Sequence, residues 1–354
     1  MNPVLRLAGA ALVAVLAVGV VFVALRPATS VGPPGTSPSP AASPTLPALR
    51  PLAPSAVIDL AGTVKNTIPL TTDGTDVWIG VDGAIVHVDG RTNATQRLVV
   101  PAMSTGNGEI AITADSLWIA DFKGGRIQRL DPSTGAVKVT GSVLKPNFLY
   151  VVGGELWLGL GAADGLVKVD QATGAVGPHL VEASQVAFGL GDAWSGIWDG
   201  VSGEHLGSSV ITRTNATTGA ATATIRVPPG SGCTVSGSFP DNVWASCPVD
   251  FGTCPANRIA VRIDPSTNEV VTTAQVCGNP VVVIDGTPWF LAGRMDGQNE
   301  AYALVSVDPG TGRLLARFDL GKIGPNQVVL TDTALWISDE QNDRVVRYDL
   351  TQLR

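Results

Sequence analysis

Seven segments of the 354-residue chain place a tryptophan inside a short apolar run: "DVWIGV" (Trp78), "SLWIAD" (Trp118), "ELWLGL" (Trp157), "DAWSGI" (Trp194), "NVWASC" (Trp244), "TPWFLA" (Trp289) and "ALWISD" (Trp336). Successive tryptophans lie 37 to 50 residues apart, and each is followed by a second apolar run ending on Asp or Asn, as in "RLDPSTG", "KVDQATG" and "RTNATTG". A repeat of that length, holding several strands, cannot bury its own faces and must stack on neighbouring copies. Four-stranded units stacked radially make a β-propeller. The tryptophan runs are apolar on both alternating faces, which fits strands covered on both sides. The fold class read from the sequence is therefore all-β, a seven-bladed β-propeller over residues 56–354. Composition agrees, with 41 Gly, 25 Pro and only 15% charged residues, as a turn-dense β protein requires.

The turns explain themselves without chemistry. An Asp accepts backbone N–H bonds, Pro presets φ, and a final Gly or Asn tolerates positive φ, so Asp131 and Asp264 read as hairpin geometry. The tryptophans are expected to pack between blades rather than form a ligand cage. The last repeat stops at Arg354, soon after its third strand. The segment "SAVIDLAG" (55–62) is similar to the fourth strand "LARFDLG" (315–321), and it is expected to complete blade seven and remove an open sheet edge.

Ahead of the repeats, residues 7–25 ("LAGAALVAVLAVGVVFVAL") are uninterrupted apolar or small, long enough as a helix to cross a bilayer core. Arg6 precedes the run, Arg26 follows it, and no A-x-A cleavage site or lipobox cysteine is present. Residues 1–26 are therefore expected to be a signal anchor, with a cleaved signal peptide as the alternative. Either places the remainder outside the cytoplasm. Residues 27–55 carry nine prolines among Ser, Thr and Ala, the composition of an extended extracytoplasmic stalk. The net charge is −7 and the first acidic residue is Asp59. An acidic surface without a basic cluster excludes nucleic acid as a partner. Membrane contact is expected through the N-terminal helix only, and the chain is expected to be a monomer.

The blade motifs "LWIADFKGGRIQRLD" and "LWISDEQNDRVVRYD" resemble NHL repeats, and residues 56–354 resemble the seven-bladed propellers grouped around virginiamycin B lyase and YncE-like YVTN proteins. That resemblance implies the fold. It also implies, for the lyase, a site of His and Glu near a bound magnesium ion. The chain has three histidines: His87 reads as third strand, His179 as fourth strand, and only His205, beside Glu204, Asp199 and Trp198, is a candidate for such a role. The lyase activity is not carried over, and no cofactor or metal is expected. A quinoprotein reading fails because no Trp follows the D-x-x-T-G turns.

Blades four, five and six carry extra residues between their second and third strands, at 199–209, 247–257 and 293–301. All such connections leave one face of a propeller, and loops on a rigid scaffold are where binding concentrates. Asn147, Asn279 and Asn326 each stand ten residues before a blade tryptophan, and Asp121 and Asp339 three residues after one. The Asn amides either cap the turn into the first strand or form a polar ring facing a ligand; the two Asp either join that ring or solvate the loop. Cys233, Cys247, Cys254 and Cys277 all fall in blade five or its exit, an even set that implies two disulfides outside the cytoplasm. A turn near Pro240 would set Cys233 opposite Cys247 and leave Cys254 for Cys277; other pairings, and metal ligation, stay open.

The expected function is non-enzymatic binding of a protein, peptide or glycan on this loop face, with Trp198, Asp199, His205, Arg294 and Asp296 lining it. The alternative is a virginiamycin B lyase-like small-molecule lyase or hydrolase on the same face.

Overall fold

The structure is a computed structural model that describes residues 46–60, 67–100, 108–161, 165–181, 186–196, 210–227, 233–235, 243–247, 259–276, 278–293 and 302–354. The described strands form seven sheets, five of them built from four consecutive antiparallel strands. The chain is a seven-bladed β-propeller, as the repeat period requires.

In every blade but the sixth the second strand is the most deeply buried. Val77–Val81, Ser116–Asp121, Val243–Cys247 and Ala334–Asp339 are buried at every position, whereas fourth strands such as Thr95–Val99 and Val137–Ser142 are largely exposed. The tryptophans account for this gradient. Each of the seven is buried against the following blade: Trp118 on Leu156 and Leu158, Trp244 on Phe290, and Trp336 on Ile68, Val77 and Ile79 among them. An aromatic of this size removes some 150–250 Å² from water, so the core is a set of seams between blades rather than one central mass.

On the third strand, the residue paired with the tryptophan is usually cationic or His: His87 opposite Trp78, Arg129 opposite Trp118, Lys168 opposite Trp157, Arg213 opposite Trp194, Arg262 opposite Trp244 and Arg347 opposite Trp336. Arg129 and Arg213 also reach the next blade, donating to the carbonyls of Gln171 at 3.2 Å and Pro265 at 2.6 Å. The Asp turns are thus part of the seams, and their geometry is the expected one. Asp131 Oδ1 accepts the N–H groups of Ser133 and Thr134, and the N–H of Gly135 donates to the carbonyl of Asp131; Gly135 sits at φ +73°, a conformation a side chain would strain.

The ring closes as the sequence predicts. Ala56–Asp59 pairs antiparallel with Arg344–Asp349, with Val57 opposite Val346, and becomes the fourth strand of blade seven. One feature differs from expectation. Leu49–Pro51, inside the segment expected to be a stalk, is a fifth strand on blade six, parallel to Leu314–Gly321. Arg50 lies over the Phe318 ring at 4.3 Å, and Leu52 is buried in the seam of blades six and seven. Proline is tolerated there because an outer edge strand needs no complete ladder. Residues 7–25 lie outside the described residues, among which no helix is long and apolar enough to cross a membrane.

Candidate functional site

The first strands of the blades converge on the central channel, and their starting ends, together with the connections between second and third strands, form one face. Asp121 and Asp339 sit at that end but are buried. Asp121 Oδ1 accepts the Gly124 N–H at 2.8 Å, and Oδ2 takes the Arg126 guanidinium at 2.8 to 3.0 Å. Asp339 repeats the arrangement with the Gly324 N–H at 2.8 Å and Arg344 Nε at 2.7 Å, and adds the Asn342 amide. Both carboxylates are buried and engaged by these donors. The signal was in the sequence: "DFKGGR" and "DEQNDR" each place an Arg five residues after the Asp.

Asn147, Asn279 and Asn326 all lie at the second position of a first strand, but not in one register. Asn279 pairs with Leu291, whereas Asn147 is the unpaired residue of a bulge between Pro146 and Phe148, and Asn326 lies in a bulge between Pro325 and Val328. Asn279 and Asn326 are exposed and Asn147 is half-buried. The Asn326 amide donates to Glu340 Oε1 at 2.6 Å, and that oxygen also accepts the Ile68 N–H at 3.1 Å.

Sequence reasoning missed the group at the centre of this face. Glu109, on the first strand of blade two, accepts a 2.7 Å hydrogen bond from Gln327 Nε2 on blade seven, and Gln327 Oε1 in turn accepts the Leu70 N–H of blade one at 2.6 Å. One side chain therefore ties blades seven, one and two together. Burial pushes the Glu109 carboxyl up to about 8 against the smaller opposing effect of Gln327. Nearby, the Tyr150 hydroxyl of blade three accepts the Val186 N–H of blade four at 3.3 Å, and burial holds its acidity far below that of a free tyrosine.

Cys233 and Cys247 form a disulfide that clamps the first and second strands of blade five. Trp198, Asp199, His205, Arg294, Asp296, Cys254 and Cys277 lie outside the described residues. His87 is on a third strand, stacked on Trp78 with ring centres 4.8 Å apart and bonded to Asp76 at 2.8 Å; His179 is exposed on a fourth strand. Both are placed as the sequence suggested. Among the described residues no group of His, Cys, Asp and Glu is arranged to hold a metal ion. A shallow groove beside Glu155, Lys168 and Asp170 opens at the opposite end of blade three.

No protein-family model matches the chain, and no curated protein matches it in sequence. Solved structures share its fold. Virginiamycin B lyase from Staphylococcus aureus superposes with a TM-score of 0.59 at 13% identity, covering 83% of this chain and 98% of that one. A chain of a mitotic checkpoint complex gives 0.63 at 12% identity over 88% and 99%, and one of Kuenenia stuttgartiensis hydrazine synthase 0.61 at 14% over 82% and 98%. At such identities the likeness is one of fold, and a fold of this kind hosts unrelated activities: the chain is a seven-bladed β-propeller that resembles virginiamycin B lyase in architecture.

Proposed function

We propose that the chain is an extracytoplasmic, non-enzymatic propeller, held at the membrane by residues 7–25, that binds a protein, peptide or glycan through the loop face of blades four to six. The observation that carries this reading is the position of the enlarged connections. The second strands of blades four to six end at the face where Asn279 and Asn326 are exposed, and the Cys233–Cys247 bond fixes the end of the second strand of blade five. A rigid ring with elongated loops at one end suits recognition. Trp198 and Arg294 are the expected anchors, because aromatic and Arg side chains dominate interface energetics.

Screening the full-length chain in nonionic detergent against peptide and glycan arrays tests the reading. Trp198→Ala and Arg294→Ala should each weaken the captured ligand about tenfold, and His205→Ala should leave binding intact. Retention of every captured ligand after shortening all three connections would exclude this face. The alternative, a lyase or hydrolase, draws support from the fold likeness to virginiamycin B lyase and would show itself by a hundredfold or greater loss of turnover in His205→Ala, the usual size of a lost general acid or base.

A further inference from the structure

The described first strands contain, besides Tyr150, one titratable side chain: Glu109. Their remaining polar groups are neutral amides and hydroxyls. Asp121, Asp192 and Asp339 each have an Arg within 3.0 Å, so this fold normally gives a buried carboxylate its cation. Among the described residues Glu109 has no Lys or Arg partner, and its one side-chain hydrogen bond there comes from Gln327. The amide cannot turn over to relieve this, since Gln327 Oε1 is held by the Leu70 N–H. Oε1 of Glu109 is thus oriented, and the residue is half-buried, keeping part of its surface accessible. A lone carboxylate in such a place is costly to ionise, and a cation arriving beside it removes that cost.

We propose that Glu109, oriented by Gln327, is a binding site in the central channel for a ligand bearing a single alkylammonium group, such as a lysine side chain or a small primary amine. The site lies on blades two and seven and does not depend on the loop-face reading. One carboxylate with the neighbouring amide oxygen already engaged is too few oxygen ligands for Ca²⁺ or Mg²⁺, whereas an ammonium needs one strong acceptor. The other titratable groups at this end include Tyr150, whose hydroxyl accepts the Val186 N–H, Glu340, whose Oε1 is taken by Asn326 and Ile68, and Asp121 and Asp339, whose carboxylates are paired with Arg126 and Arg344; blade one presents the uncharged Leu70 and Thr71.

The test uses the full chain in nonionic detergent with two probes, Nα-acetyl-lysine methylamide and its neutral analogue Nα-acetyl-norleucine methylamide, read by thermal shift and calorimetry. The lysine probe should bind and raise Tm at pH 9, bind about tenfold or more weakly at pH 6.5, where the carboxyl is protonated, and release protons on binding at pH 8. The norleucine probe should do neither. Glu109→Gln should lose the lysine response, and a variant with the connections of blades four to six shortened should keep it. Equal responses to the two probes would overturn the proposal, as would undiminished lysine binding by a Glu109→Gln protein that still melts cooperatively. If Glu109→Gln does not fold, proton release by the parent at pH 8 decides: its absence overturns the site.

Discussion

The guanidinium of Arg213 lies over the indole of Trp194, 4.9 Å from the ring centre, while its Nε donates to Asp192 at 2.6 Å and one Nη reaches the Pro265 carbonyl of the next blade at 2.6 Å. One side chain thus covers an aromatic face, satisfies a buried carboxylate and spans a seam. The position two residues before the tryptophan supplies the acceptor in other blades too: Ser116 for Arg129, Glu155 for Lys168 and Asp76 for His87. What recurs, in four blades, is the bond from the third-strand cation or His to a group two residues before the tryptophan.

Arg213→Met should therefore destabilise the ring by about 3 kcal/mol, because removing one partner strands Asp192 in a nearly dry seam. Denaturant melts of the single variant and of Arg213→Met with Asp192→Asn measure this, and the second change should recover part of the loss.

Deleting Ala56–Asp59 leaves Arg344–Asp349 with an open edge. The loss expected is on the order of 4 kcal/mol, with a broadened transition. A melting midpoint equal to that of the intact chain would show that another segment closes blade seven.

Acid should loosen the hairpins together. Asp89, Asp170 and Asp308 are held below the usual carboxylate range chiefly by backbone N–H groups, and Asp131 and Asp264 chiefly by a serine hydroxyl. With folded values below the unfolded one near 3.8, the native state binds fewer protons. This contribution is complete above that value and is lost as pH falls through the folded values. Denaturant midpoints measured from pH 6 to pH 2 should fall at the acid end, and Asp131→Asn should flatten the slope, since Asn215 already serves the equivalent turn through the same acceptor geometry.

Reducing the Cys233–Cys247 bond, which spans 14 residues, should cost about 3 kcal/mol by the loop-entropy account. Mass spectrometry of the alkylated chain, paired with melts with and without reductant, checks both the bond and its worth.

Much of the fold was legible because its signals are periodic. The tryptophan runs, the Asp turns and the unfinished last blade each follow from a pattern that local sequence displays. The site was less legible, for identifiable reasons. The bulge beside Asn147 changes its pairing from that of Asn279 with no mark in the spacing to Trp157. Glu109 and Gln327 are 218 residues apart, and only closure of the ring makes them neighbours. Leu49–Pro51 escaped because a proline-rich segment looks alike whether it is free or laid along a sheet edge.

That short parallel strand also determines how the ring meets a mechanical load. Tension applied to the chain ahead of Leu46 reaches the rungs that hold Leu49–Pro51 to blade six, and the Arg50 contact with Phe318, before it reaches Ala56–Asp59. The propeller thereby carries a three-residue fuse in series with its latch, and a pull that would otherwise unzip the ring is first spent on a contact the fold can lose.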